Sequence, residues 1–212
     1  MTGLIATAQG FYADLARDNT KAWWEAHKET YDTRLKAPAL ALLETLSPRL
    51  QGLTGLPIRT KLFRPHRDVR FSKDKTPYNT HLHMMWSVQA GARQNPVFFF
   101  GIGLDYVTAG AGIMGLDKPV LEDWRRVVDL DTERVLGIVE ELEARGFTLR
   151  EPALKRVPPP YDAEHRAGRL LRMKEVTAGK ELAPDGGLEG ALMAAFTEVW
   201  PLNRLLIEVA EA

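Results

Sequence analysis

Between residues 58 and 114 the chain carries four successive runs of strand-like composition. They read "IRTKLFRPHRDVRFS", "YNTHLHMMWSV", "PVFFFGIGL" and "YVTAGAGIM", and Pro, Gly or Asn punctuates the gaps between them. Strands that succeed one another across such short turn signals pair as an antiparallel sheet, because a parallel pair needs a crossover of a dozen residues or more. Whatever else the chain does, its other segments must cover that sheet.

Those other segments read as helix. In "AQGFYADLARDNTKAWWEAHKETYDTRLKAPALALLETLSPRL" a short helix breaks at Asp18 and Asn19, and Asn19 is a good N-cap for the second helical stretch. Trp24, His27, Tyr31 and Leu35 recur at helical spacing, and Ala39, Leu42, Leu43, Leu46 and Leu50 extend the stripe. Pro38 is expected to kink or divide this helix. Two consecutive helices come after the four runs: "LDKPVLEDWRRVV", with Asp117 as N-cap, and "DTERVLGIVEELEARG", closed by Gly146. After a Pro-rich connection come a short helix capped by Asp162, a strand around Arg172 to Thr177, a loop at "APDGG", and a C-terminus helical on both sides of Pro201. The reading is an α+β fold of one domain spanning residues 1–212. It has an antiparallel sheet of about five strands, helices packed mainly on one face, and long N- and C-terminal helices.

Formal charge is balanced, with 28 basic and 28 acidic residues, so net charge predicts attraction to neither nucleic acid nor membrane. The charge is unevenly spread, however: Arg59 to Lys75 holds seven Lys or Arg against two Asp, and Asp117 to Glu143 holds nine acids against four bases. The chain has no cysteine, which rules out disulfides and thiolate chemistry and suits a reducing compartment. No apolar run approaches the roughly 20 residues that span a bilayer, and the N-terminus lacks a basic leader, so a cytoplasmic protein is expected.

The basic segment is the candidate site. If residues 61 to 74 are extended, Phe63, Val69 and Phe71 share a face with Arg67, while Arg64, His66, Asp68, Arg70, Ser72 and Asp74 share the other. Arginine offers planar, permanently charged donors for carboxylate or phosphate, and interleaved Asp can hold the guanidinium groups in place. The competing interpretation is an exposed strand face laced with ion pairs.

Three further patterns are weaker. Gly110, Gly112 and Gly115 match G-x-G-x-x-G, but the acid-ending second strand of a dinucleotide site would fall inside a helix, so close packing or a bulge explains them better. Ser72 to Lys75 match S-x-x-K in a segment that is not helical. His81 and His83 share a strand face and with His66 could form a metal site, but two strand histidines more often are polar or half-buried residues, and no metal is assigned. Trp23, Trp24 and "VFFFGI" read as core.

At "RDVRFSKDKTPY" the chain resembles a family of uncharacterised conserved proteins, mainly bacterial, catalogued as a domain of unknown function. The likeness extends to "LARDNTKAWWEAHKETYDTRLKAPALALLETL", to "GAGIM" and "LEDWRRVV", and to "LKRVPPPYDAEHRAGRLLRMK". It implies recurrent positions at Arg67, Asp68, Arg70, Phe71, Ser72, Asp74, Lys75, Pro77 and Tyr78, and at Lys155, Arg156, Asp162, His165 and Arg172. Asn79 stands where the family commonly has Lys. The resemblance implies no activity.

The expected function is therefore binding of an anionic small molecule bearing phosphate or carboxylate. Arg64, Arg67, Arg70, Lys73, Lys75, Lys155 and Arg156 are the candidate ligand-binding residues, and Asp68 and Asp74 orient them. If there is catalysis, Tyr78, His165 and Asp68 are the candidates for proton transfer. No cofactor is assigned, and the oligomeric state is left open. A nucleic-acid binder, with Phe71 and Tyr78 stacking on bases, is the rival reading, disfavoured by a pI near 7.0. An interaction or scaffold protein, its motif an internal ion-pair lattice, is the third.

Overall fold

The strand Leu82–Val88 (β2) alternates strictly, with Leu82, Met84, Trp86 and Val88 buried and His83, Met85 and Ser87 half-buried. This period of two sets one face of the sheet against a core and leaves the other open. The structure, a computed structural model, describes residues 3–183 and 187–211. Its sheet comprises β1 (Ile58–Leu62), β2, β3 (Val97–Ile102), β4 (Val107–Ile113), β5 (Thr148–Leu149) and β6 (Val176–Glu181). All neighbours are antiparallel, in the order β1-β2-β3-β4-β6-β5. The strand beyond the expected five, β5, is two residues long, too short to leave a sequence signal.

Helices α1 (Gly3–Arg17), α2 (Lys21–Tyr31) and α3 (Ala37–Thr54) precede the sheet; α4 (Lys118–Leu130) and α5 (Thr132–Ala144) come after β4. A four-residue α6 (Gly168–Leu171) and the 24-residue α7 (Leu188–Glu211) complete the set. Helix α7 lies across β3 and β4, where Ala109 and Ala111 leave room for it, and Phe196 meets Trp86 and Phe98 at ring-centroid distances of 5.4 and 5.1 Å. The Trp86 indole donates to the Leu43 carbonyl at 3.1 Å, fastening α3 to the same face. Among the described residues no helix is long and apolar enough to cross a membrane.

Several local expectations are corrected. Pro38 stands in the first turn of α3, and the interruption expected there falls just before it: the helix passes from α2 to α3 through a wide π turn at Asp32–Lys36, where the Ala37 N–H donates to the Asp32 carbonyl. The wide turn suits a proline just beyond it, whose ring would crowd the carbonyl four residues back. The N-cap of α2 is Thr20, whose hydroxyl accepts from the Trp23 N–H at 3.2 Å; Asn19 is spent elsewhere. The run "IRTKLFRPHRDVRFS" is strand only as far as Leu62, so residues 63–74 have no continuous two-faced alternation. The late strand begins at Val176, because the stretch before it carries α6, and Asp162 closes a turn rather than a helix by accepting from the Glu164 N–H at 2.9 Å. The "APDGG" loop falls largely on residues 184–186, outside the described residues.

At the far edge of the core, Arg93 of the β2–β3 turn donates its backbone N–H and Nε to the Ala210 carbonyl at 3.2 and 3.1 Å, holding the C-terminal end of α7. Its Nη2 also meets the carboxylate of Asp123, which is only 9% exposed and accepts a second guanidinium bond from Arg126 at 2.6 Å.

Candidate functional site

The basic motif forms a compact loop closed by its own backbone. The Arg67 N–H donates to the Pro77 carbonyl at 2.8 Å, the Asn79 N–H to the Pro65 carbonyl at 2.7 Å, and His66 bridges Tyr78 in antiparallel register. Asn19, at the α1–α2 junction, clamps the closure. Its Nδ2 donates to the Tyr78 carbonyl at 2.9 Å and its Oδ1 accepts the Tyr78 N–H at 3.1 Å. The Tyr78 ring stacks on Trp24 at 4.5 Å, with His66 edge-on to both, so the loop stands on an aromatic base built by α2.

Within the loop each acid takes one arginine. Arg67 Nη1 donates to Asp74 Oδ2 at 2.6 Å, to the Thr76 carbonyl at 3.0 Å and to the Thr76 hydroxyl. The Thr76 N–H, the Thr76 hydroxyl and Arg67 together pull the Asp74 carboxyl down to about 2. Arg70 grips Asp68 through two parallel bonds, Nε to Oδ1 at 3.0 Å and Nη2 to Oδ2 at 2.7 Å, which hold that carboxyl below its ordinary value. This second pair stands in solvent. Lys75 donates to the Val69 carbonyl at 3.0 Å; Arg64 and Lys73 are exposed and have no bonded acid among the described residues. Two acids against Arg64, Arg67, Arg70, Lys73 and Lys75 leave the loop with an excess of three positive charges.

Under the loop lies a polar hollow of about 250 Å³, lined by Asn19, Arg67, Asp74, Thr76, Tyr78, Asn79, Thr80 and His81. The Arg67 side chain, 24% exposed, forms part of its wall. Only Nη1 of its guanidinium is engaged; Nε and Nη2 meet no acceptor among the described residues.

The His81 ring stacks on His83 at 3.8 Å, and His83 faces a second and larger space. This is a cleft of about 980 Å³ on the helix-free face of the sheet. Cross-strand register aligns Met85, Phe99, Gly110, Gly179 and Thr148 in one row, and His83, Gly101 and Thr108 in the next. The small residues give the cleft depth. A Cβ on Gly110 would collide with the Ala178 carbonyl and the Phe99 ring, so the end of the Phe99 ring reaches over bare backbone. At one end the His83 Nε2 and the Tyr106 hydroxyl share a hydrogen bond of 2.6 Å. Burial, with the nearby His81, pushes the His83 imidazole down to about 4, and burial with Asp105 raises the Tyr106 phenol, so both stay neutral near pH 7. At the other end Arg150 pairs with Glu175 at 2.7 Å, beside Lys174.

The later motif is anchored to different elements. His165 accepts the Ala167 N–H on Nδ1 at 3.0 Å and has Nε2 3.4 Å from Asp129 of α4, so both ring nitrogens are engaged. Lys155 and Arg156 are exposed; the Lys155 carbonyl accepts from Arg172 at 3.5 Å. No hydrogen bond or ion pair joins residues 152–172 to the basic loop among the described residues. Tyr78 is buried in its stack, and burial raises its phenol further out of range for proton transfer. No group of three or more His, Cys, Asp or Glu that could hold a metal ion occurs among the described residues.

Sequence reasoning passed over the cleft, treating "VFFFGI" as uniform core. The signal was present in the alternation: Phe98 and Phe100 face the helices, while Phe99, Thr108, Thr148 and Gly179 fall on the open side. No curated protein matches the chain. Residues 7–208, nearly the whole chain, match the family described as conserved hypothetical protein, DUF2461, and the chain belongs to that family.

Proposed function

We propose that the chain binds a small molecule through its phosphate or carboxylate group, in the polar hollow beneath the basic loop. Arg67 is the principal donor. The observation that carries this reading is the state of its guanidinium: Nη1 is locked to Asp74 and Thr76, Nε and Nη2 meet no acceptor among the described residues, and the side chain lines the hollow. A guanidinium held from one side costs little entropy to engage from the other, and two adjacent N–H groups suit a bidentate oxyanion. Asn79, Thr80 and His81 add hydrogen-bonding groups, and the residual positive charge of Arg64, Lys73 and Lys75 favours approach of an anion. Lys155, Arg156 and His165 take no part in the binding proposed here.

The test is thermal unfolding in sodium phosphate against sodium chloride at matched ionic strength. A ligand of the folded state raises the midpoint in proportion to RT ln(1 + [L]/Kd). A phosphate-specific rise that disappears in Arg67→Gln is expected; identical midpoints in both salts would overturn the reading.

A second reading has its own support. Two of the loop's arginines are already charge-paired with its two acids, which is what a loop built only for architecture would show. In that case Arg67→Gln lowers the midpoint by the same amount in both salts, and the parent ignores phosphate.

A further inference from the structure

The polar hollow and the sheet cleft are separated by the stacked pair His81 and His83, one ring lining each space. We infer that the two spaces form one composite site for an elongated anionic amphiphile, an apolar body ending in a carboxylate or phosphate. Its head lies at Arg67 and its body along the helix-free face of the sheet. The head-group half of this inference rests on the Arg67 reading above; the body half rests on the cleft alone.

Dimensions support an elongated body. From His83 on β2 to Thr148 on β5 the cleft crosses β3, β4 and β6, four inter-strand steps of about 4.8 Å or roughly 19 Å in all. A volume of about 980 Å³ spread along that length makes a trough rather than a round pocket, and it lies in the size range of small-molecule sites. Its lining is mainly apolar or small, with Phe63, Phe99, Met114, Thr108 and Gly179 along it. Charge complementarity fixes the direction. The charged groups lining the β5–β6 end, Arg150, Glu151, Lys174 and Glu175, sum to zero, whereas the basic loop at the β2 end retains its excess of cations. An anion therefore points toward His81 and Arg67, and the hydrogen-bonded His83 and Tyr106 lie along the path between head and body.

The glycines supply a clean test. At Gly179 the atoms nearest a Cβ are Thr108 Cγ2 at 3.5 Å, Phe99 Cζ at 3.6 Å and the Ala109 carbonyl at 3.9 Å, ordinary contacts, so a side chain there fits the backbone and occupies the cleft. Binding is measured by calorimetric titration of the full chain with dodecanoate below its micelle-forming concentration, with dodecanol as the uncharged probe and inorganic phosphate as the probe without an apolar body. Dodecanoate is expected to bind the parent at least tenfold more tightly than dodecanol. Gly179→Leu should weaken dodecanoate at least tenfold while leaving the phosphate response intact. Thr148→Phe, at the exposed position of the short β5, gives the same reading should Gly179→Leu fail to fold. Arg67→Gln should bring dodecanoate to the level of dodecanol.

Phosphate binding that persists while dodecanoate shows no saturable binding, or binding indifferent to both cleft variants, overturns the composite site and leaves the Arg67 reading standing. Dodecanoate and dodecanol binding alike, both sensitive to Gly179→Leu and neither to Arg67→Gln, overturns the anionic head of the composite site, and the Arg67 reading then stands or falls on the phosphate response alone.

Discussion

Replacing Asn19 by Ala should unfasten the basic loop from the helices that carry it. The Asn19 side chain makes two hydrogen bonds to the backbone of Tyr78, at 2.9 and 3.1 Å, across 59 residues of sequence. Each such bond is worth about 1 kcal/mol net, and the contacts are partly buried, so the loss should be about 2 kcal/mol. For a chain of this size 1 kcal/mol moves the thermal midpoint by roughly 2–4 °C, giving an expected fall of about 4–8 °C. Asn19→Asp should do no better, because it restores the acceptor for the Tyr78 N–H but points a carboxylate at the Tyr78 carbonyl. Urea unfolding at an unchanged slope would show that stability, not the denatured state, has changed. Hydrogen exchange localises the effect: the amides of Arg67, Tyr78 and Asn79 should lose protection while those of β3 and β4 keep theirs. An unaltered midpoint together with unaltered Tyr78 protection would refute the claim that Asn19 closes the loop.

Asp123→Ala should cost about 2 kcal/mol in chemical denaturation, since it strands Arg93 and Arg126 around a nearly buried position; the figure is less than that of a fully buried pair because both arginines reach solvent. By contrast Arg70→Gln, in a solvent-exposed pair, should leave the denaturation midpoint nearly unchanged under the same assay. Gly110→Ala should destabilise by about 3 kcal/mol or more, because the colliding atoms include a carbonyl of the neighbouring strand, whereas Gly179→Ala should stay within about 1 kcal/mol. His83 takes its proton near pH 4 when folded and near 6.5 when unfolded, so between those values the unfolded chain binds more protons and stability falls as the pH is lowered from 6.5 to 4. For a half-buried ring the loss should be on the order of 1.5 kcal/mol, and His83→Gln should flatten the slope of stability against pH in that window.

Alternation and turn signals made the α+β class and the antiparallel sheet legible from sequence, because each depends on neighbours within a few positions. Uneven charge located the basic motif, and the family resemblance marked the same positions. Where the sequence misled, a distant partner decided the outcome. Asn19 has the chemistry of an N-cap, but Tyr78 claims its side chain and Thr20 caps α2 instead. Residues 63–74 have strand-like composition, yet the backbone closes on itself over the Trp24 and Tyr78 stack, so alternation along the motif lost its meaning. The resemblance marks Lys155, Arg156 and His165 as recurrent polar positions just as it marks Arg67, but His165 hydrogen-bonds within its own turn and faces α4. The cleft was the least legible feature. No single strand encodes it; it arises only when register sets Phe99 beside Gly110, Gly179 and Thr148, residues far apart in the chain and unremarkable in isolation. Local chemistry is written in local sequence, while a binding space is a property of which segments face one another, and that is decided when the sheet is assembled.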